Sequence, residues 1–342
     1  MSEELQRIAD LLLTFEGQDD SLVIIYPHVG ADGDALGSAQ ALFLTLSKLN
    51  INSLVLVDEK QQQKLLFLPG SDQVRVFDEA DAEALAACQK LAFAVDCADS
   101  VRVGRRRQLY EEAPQQAVVD HHASSDPTGV LRLIDITAAA TSELIYALIK
   151  CLEEKTEQEL IDYPIATCLM AALISDTGSF GFSNTTARTF RVASKLMAWP
   201  IDLANLNFIM FYRTSRPRLQ LAGAVLNKAR FELDGRIALG IVPAGLMEKL
   251  GALDEDLDGL VGQLRNAEGV EVAFLLREQM DGSIRVNIRS NENFNAAEFA
   301  CLFEGGGHVR AAGLTLTNVS LDEGAELILA EATEFIQKGK SK

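Results

Sequence analysis

The chain holds four histidines, His28, His121, His122 and His308, and each stands beside aspartates or glycines. The first opens His28-Val29-Gly30-Ala31-Asp32-Gly33-Asp34, which follows the apolar run SLVIIYP and precedes a helical pattern. In an α/β sheet such a loop lies at the carboxyl edge of the strands, where ligands bind. His28, Asp32 and Asp34 converge if the loop curls tightly, and Gly30 and Gly33 permit that. Helix capping is the plainer reading of the two aspartates. Yet two carboxylates and an imidazole packed this closely would be costly without a cation. Asp96 closes a second apolar run, LAFAVD, and Asp120-His121-His122 follow a third, QAVV. Asp176, in ISDTGSF, stands where an apolar helical stretch gives out. There the helix macrodipole disfavours an anion unless a cation offsets it.

Separate loops thus offer the imidazoles of His28 and His121 and the carboxylates of Asp32, Asp34, Asp96 and Asp176. Mixed oxygen and nitrogen donors suit Mn²⁺, Fe²⁺ or Mg²⁺ better than a structural zinc. Such a set is too large for one catalytic ion that keeps open positions. It fits two ions ~3.5 to 4 Å apart that share one carboxylate, activate water and clamp a phosphoryl oxygen. The chemistry is hydrolysis of a phosphoester or phosphoanhydride. A further cluster, Gly305-Gly306-Gly307-His308-Val309-Arg310-Ala311-Ala312-Gly313, reads as a glycine-rich loop whose amides hold an anion. His308 and Arg310, with Arg289 and Ser290 at the end of a strand upstream, strengthen the phosphate-binding reading.

The elements that must position these residues follow from hydrophobic period. SLVIIYPH, SLVLVDE, KLAFAVDCAD and QAVVDHH are short, apolar and rich in β-branched residues, as buried parallel strands are. Helical spacing runs over 36–49, 79–88, 141–152 and 165–175, the last apolar all round. The first 190 residues therefore read as a mainly parallel α/β sheet flanked by helices. Residues 191–218 read as a helical linker, and 219–342 as a smaller α+β domain. In the latter, Asp234-Gly235 and Asp281-Gly282 mark the turns of two antiparallel hairpins.

The net charge is −18, which argues against tight binding of long duplex nucleic acid but not against a small phosphorylated substrate in a metal-filled pocket. No run approaches the ~20 apolar residues of a membrane span. The N-terminus carries no signal-peptide pattern. Five widely spaced cysteines without CxxC read as reduced thiols, so a cytoplasmic protein is expected.

HVGADGDALGS, VDCAD, VDHH and SDTGSF, in this order, resemble the four motifs of the DHH phosphoesterase superfamily. GGGHVRAAG, with NIRS upstream, resembles its DHHA1 substrate-binding domain, so the resemblance covers nearly the whole chain. Within the superfamily, the length and the ending resemble the branch of nano-RNases and pAp phosphatases. The resemblance implies short oligoribonucleotides, linear dinucleotides and pAp as substrates, with cyclic di-AMP cleaved by some relatives. It implies one Mn²⁺ on His28, Asp32 and Asp96, and another on Asp34, Asp96, His121 and Asp176, with Asp96 bridging. His122 would contact the scissile phosphate or the leaving oxygen, and Asp120 would support the cluster from behind. Arg289 and His308 would grip the distal phosphate or nucleotide, helped by the amides of Gly306 and Gly307, with closure of the two lobes completing the site. The family also allows a homodimer. Two departures stand out: Ala31 replaces a usual Pro, and Gly181 follows DTGSF where an Arg is frequent, which bears on substrate preference. A single-strand exonuclease would need a longer basic channel, a family pyrophosphatase would end differently, and a non-catalytic nucleotide sensor would not need a full ligand set.

Overall fold

Alternating burial shows why the first strands form. In β1 (Leu22–Pro27), Val23 and Ile25 enter one core while Ile24 and Tyr26 enter another on the opposite sheet face. A strand buried on both faces needs a continuous apolar run, as this one has. The computed structural model describes residues 3–123 and 131–339, which fall into two compact units, Met1–Arg213 and Thr214–Lys342.

In the first unit, α1 (Glu3–Leu13) precedes β1, and α2 (Gly33–Lys48), β2 (Ser53–Val57), β3 (Arg75–Val76), α3 (Ala82–Cys88) and β4 (Gln89–Val95) follow. Then come α4 (Arg107–Glu111), β5 (Gln115–Asp120), β6 (Leu131–Ile134), α5 (Thr141–Thr156), α6 (Tyr163–Asp176), α7 (Ala187–Leu196) and α8 (Leu203–Asn207). The strands pair in the order β3-β2-β1-β4-β5-β6, all parallel. The order reverses between β1 and β4, and a parallel sheet opens a ligand crevice at that point, beyond the carboxyl ends of the strands. The loop after β1 carries His28, and the residue after β4 is Asp96.

Two glycines set the distance between α2 and α6. A Cβ on Gly37 would lie 2.6 Å from the Cys168 carbonyl oxygen, and one on Gly33 would lie 2.6 Å from Ser175 Oγ. Gly33 and Gly37 are one turn apart, so they share a helix face. Gly33 therefore does not curl the loop, as the sequence suggests; it is the first residue of α2, and Gly30 alone of the pair has a positive φ, at 65°. The close approach brings Asp34, beside Gly33, toward Asp176, beside Ser175.

The second unit contains α9 (Arg216–Leu226), β7 (Arg230–Glu232), β8 (Ile237–Val242), α10 (Leu246–Leu250), α11 (Leu260–Arg265), β9 (Val272–Glu278) and β10 (Ile284–Ser290). After these come α12 (Ala296–Cys301), β11 (Gly306–His308), β12 (Ala311–Leu316) and α13 (Leu321–Gly339). Its sheet runs β11-β12-β10-β9-β8-β7, antiparallel except for β8 beside β9. Both expected hairpins form, with Asp234 (φ 56°), Gly235 (φ 83°) and Gly282 (φ 81°) in their turns. The glycine-rich segment is not a loop. Gly306, Gly307 and His308 pair with Gly313, Ala312 and Ala311 as an edge strand. Gly307, at φ 143°, would place a Cβ 2.5 Å from the Ala311 oxygen, so the glycine admits a close backbone pairing.

Gly37→Ala gains about 1 kcal/mol of helix propensity. A collision with a backbone oxygen costs about 1–3 kcal/mol, at the upper end because a carbonyl in a helix cannot rotate away. The expected net is a loss of about 1–2 kcal/mol in urea unfolding, and an unchanged or raised midpoint would refute the close-packing account.

Candidate metal centre

Asp34 is fully buried, and its carboxylate is held by groups distant in sequence. Oδ2 accepts from the Thr141 amide at 2.6 Å, and Oδ1 accepts from the Ser142 amide at 3.1 Å and from Ser38 Oγ at 3.0 Å. Thr141 and Ser142 begin α5, whose own N-cap residue, Ala140, supplies no side-chain hydrogen bond. The first amides of a helix lack intrahelical acceptors. Asp34 therefore caps α5 from across the sheet edge. Burial raises its pKa well above the carboxylate range, and Asp96 and Asp176 add repulsion.

Asp96 sits at the strand-order reversal in a left-handed conformation, φ 56°. This is strained for a residue with a side chain, and such outliers gather at functional sites. The two oxygens of Asp96 face different histidines, Oδ1 lying also 3.3 Å from His122 Nδ1. Oδ2 lies 3.4 Å from His28 Nε2, and Oδ1 lies 3.6 Å from His121 Nε2. Oδ1 also accepts from Thr141 Oγ1 at 2.9 Å. Burial opposes the charge on Asp96, but His122 and His28 outweigh it and hold the carboxyl below its ordinary range.

Among the described residues three groups of possible ligands converge here, one of them Asp96, Asp120, His121 and His122, and the other two sort the donors into separate sets. In the first of these two sets, His28, Asp32 and Asp96 offer atoms within 4.8 Å of one another, and in the second Asp34, His121 and Asp176 do so. The second includes His121 Nε2 at 3.1 Å from Asp176 Oδ2 and 3.9 Å from Asp34 Oδ2. Each histidine is oriented from behind. His28 Nδ1 lies 2.7 Å from the Val29 carbonyl and His121 Nδ1 lies 3.2 Å from the Ala138 carbonyl. A ring that donates from Nδ1 presents a lone pair at Nε2, the tautomer a metal takes. His121 Nε2 is buried without a hydrogen-bond partner among the described residues, and carboxylates surround it. An orphaned ring nitrogen among buried carboxylates fits divalent cations.

Asp32 both caps and faces the cluster. Its Oδ1 accepts from the amides of Asp34 and Ala35 at 3.0 and 3.1 Å, and lies 3.9 Å from His28 Nε2. Asp120 is fully buried; its Oδ2 accepts from the Ala98 amide at 2.6 Å, and its Oδ1 lies 2.8 Å from His122 Nδ1. That contact, followed by Asp96 and against the cost of burial, pushes His122 up to about 10.

Sequence reasoning missed Ser38, Thr141, Ser142 and Asn184, whose Nδ2 bridges the Asp176 and Ala139 carbonyls at 3.1 and 3.0 Å. No motif joins Thr141 to Asp34; helix-start residues at 141 and 142 were the one available signal.

In the second unit, Arg289 and His308 are exposed and fall on one row of the sheet, both paired with Ala311. Ser290 is a correction. It is buried, and its Oγ donates to the Phe294 carbonyl at 2.7 Å, on the face away from Arg289, so it holds the turn and cannot touch a substrate. Arg310 likewise donates to the carbonyls of Asn291 and Phe294, at 2.7 and 3.1 Å. Gly306 and Gly307 are exposed on the edge strand.

The family described as DHH family, N-terminal domain, matches residues 22–173, and the DHHA1 domain matches 241–338. The bifunctional oligoribonuclease and PAP phosphatase NrnA of Thermus thermophilus is 32% identical over 339 residues, 98% of this chain and 95% of the relative. The NrnA of Bacillus subtilis is 29% identical over 309 residues, 90% of this chain and 93% of the relative. An exopolyphosphatase-related protein from Bacteroides fragilis shares the fold, with a TM-score of 0.81 at 23% identity over 98% of each chain.

Because His122 is pushed up to about 10, its proton contributes stability that is complete below the ordinary ~6.5 and is lost progressively as pH rises from there through about 10. In Asp120→Asn the titration midpoint of His122 in metal-free protein, followed by imidazole NMR, is expected to fall well below 10 while staying above ~6.5. An unmoved midpoint would remove Asp120 as the group that orients the ring.

Proposed function

This chain belongs to the DHH phosphoesterase family and carries its DHHA1 domain, and from that premise we propose that it hydrolyses short oligoribonucleotides and linear dinucleotides to mononucleotides, and pAp to AMP. It is a metal-dependent hydrolase of phosphoester bonds. The observation that carries the site reading is Asp96, whose two oxygens face His28 and His121 separately, as a carboxylate shared by two ions must.

On this reading, His28, Asp32 and Asp96 hold one divalent ion, and Asp34, Asp96, His121 and Asp176 hold the other, Mn²⁺ being the preferred species. When bound, the ions supply Lewis-acid polarisation of the phosphoryl group and a water of lowered pKa. The protein's own groups do the rest. Asp34 and Asp96 are kept in place by Ser38, Thr141 and the first amides of α5, so the ligands need not reorganise. Asp120 keeps His122 protonated and leaves Nε2 for a phosphate oxygen or the leaving oxygen. Arg289 and His308, which share one row of the sheet, hold the phosphate distal to the scissile bond, beside the free edge of β11 at Gly306 and Gly307. The cytoplasm is the proposed setting. All five cysteines are free, and no described helix is long and apolar enough to cross a membrane.

The test is product release by metal-stripped protein with and without Mn²⁺, offered pAp, di- and pentaribonucleotides, cyclic di-AMP and a long single strand side by side. Mn²⁺-dependent turnover of the short substrates alone is the expected result. Turnover of the long strand would overturn this reading in favour of an exonuclease, and no turnover of any substrate would overturn it and return the non-catalytic sensor as the alternative. Asp96→Ala removes a ligand common to both ions and is expected to lower turnover by about a thousandfold or more, several kcal/mol of transition-state stabilisation. Near-normal turnover by that variant would rule out the bridging role.

A further inference from the structure

Arg106 is the largest of the fully buried side chains, and it has no close carboxylate partner. Among the described residues the one carboxylate within reach is Asp58, whose Oδ1 lies 3.9 Å from Nε. A guanidinium is costly to bury unless its N–H groups find acceptors. Here they find main-chain carbonyls. Nη2 donates to the Pro27 carbonyl at 2.9 Å, Nη1 to the Leu56 carbonyl, and Nε to the Val103 carbonyl at 2.9 Å. The Tyr26 ring centroid lies 5.9 Å from Cζ. Burial lowers the Arg106 pKa to about 10, so the group is still a cation at neutral pH.

Those carbonyls belong to the carboxyl edge of the sheet. Pro27 ends β1 and immediately precedes His28, and Leu56 is the last residue but one of β2. Arg106 ends the segment Ser100–Arg106, which follows β4 and Asp96. The same segment also holds the residue after His28, because the Arg102 carbonyl accepts from the Val29 amide at 2.8 Å. His28 is thus anchored on both sides by one segment, and Val29 supplies the carbonyl that faces the ring at Nδ1. Gly104 admits the close approach. Its φ is 71°, and a Cβ there would lie 2.4 Å from Val29 Cγ2 and 3.1 Å from the Asp58 carboxylate. Among the described residues no hydrogen bond from Arg106 reaches Asp34, His121 or Asp176.

We propose that Arg106 is a positioning residue for one of the two ions: it fixes the loop that aims His28, and so sets the affinity of the His28, Asp32 and Asp96 set while leaving Asp34, His121 and Asp176 in place. The inference rests on the two-ion reading above. It accounts for a cation standing where an apolar chain of similar volume would pack. Carbonyls from three separate segments converge on the side chain, and a planar fork of N–H groups reaches all of them. An ammonium presents its donors from a single atom and cannot span the three.

Three variants of the full-length protein test it. Arg106→Lys keeps the charge and loses the fork. Arg106→Met keeps most of the volume and loses the donors. Gly104→Ala displaces Val29 with Arg106 intact. In calorimetric titration of metal-stripped protein with Mn²⁺, each is expected to weaken one of two binding events by about ten- to a hundredfold, the usual cost of losing a group that orients a ligand, and to leave the other little changed. In a His28→Ala background the Arg106 variants should add little, because the ligand they act through is gone. In metal-free protein, imidazole NMR should show the His28 resonances moved by Arg106→Lys and those of His121 in place. Turnover of diribonucleotides should fall at limiting Mn²⁺ and recover toward wild type at excess metal, which a general loss of structure would not do. Should Arg106→Met not fold, the other two variants still decide. Equal weakening of both binding events, full additivity with His28→Ala, or an unmoved His28 signal would overturn the positioning role. If the variants act as described yet no substrate is hydrolysed, the phosphoesterase reading fails and the role of Arg106 stands.

Discussion

Asp34 is buried beyond the reach of water, close to two further carboxylates, and the surrounding structure is organised around its charge. Without compensation, an ionised carboxylate in such a place would take a proton. Compensation comes from Ser38, from the first amides of α5, and from the positive end of that helix. The imidazoles of His28 and His121 complete one side of the cluster and leave ring nitrogens directed at it. This is a site with more negative charge than its own protein groups neutralise, and divalent cations supply the balance.

Helix packing determines whether that cluster exists at all. Gly33 and Gly37 let α2 lie against α6 with backbone nearly touching side chain, and the ligands Asp34 and Asp176 sit beside the contact. Asp176 ends α6, where the helix field opposes an anion, so of the cluster's carboxylates it depends most directly on His121 and a cation. The Asn184 bridge between the Asp176 and Ala139 carbonyls ties this helix end to the entrance of α5. Ligand geometry and fold stability therefore rest on the same contacts.

Capping and ligation are not alternatives for Asp32. One oxygen satisfies the α2 amides and still lies near His28, while the carboxylate keeps a second oxygen. In the second unit the division is by sheet face. Ser290 and Arg289 are neighbours in sequence, but alternation sends one into the core and the other outward. Arg310 stands two residues from His308, yet it clamps the turn after β10 by its carbonyls, while His308 stays exposed.

Local patterns made much of this protein legible. Apolar runs ending in Asp or His marked the strands β1, β4 and β5 and their carboxyl-edge loops, because a buried parallel strand and a ligand at its end both leave local signatures. The helices α5 and α6, though not the last turn of α5, and the two hairpin turns were readable for the same reason. Short or edge elements were not: β3, β6 and the strand β11 carry too little apolar period, and glycines that pair as an edge strand look like a loop. Nor could spacing disclose that Thr141 and Ser142 hold Asp34 and Asp96, that Gly33 serves helix contact, or that Ser290 faces inward. Those facts depend on contacts between residues far apart in the chain and on strand register, and neither exists until the chain has folded.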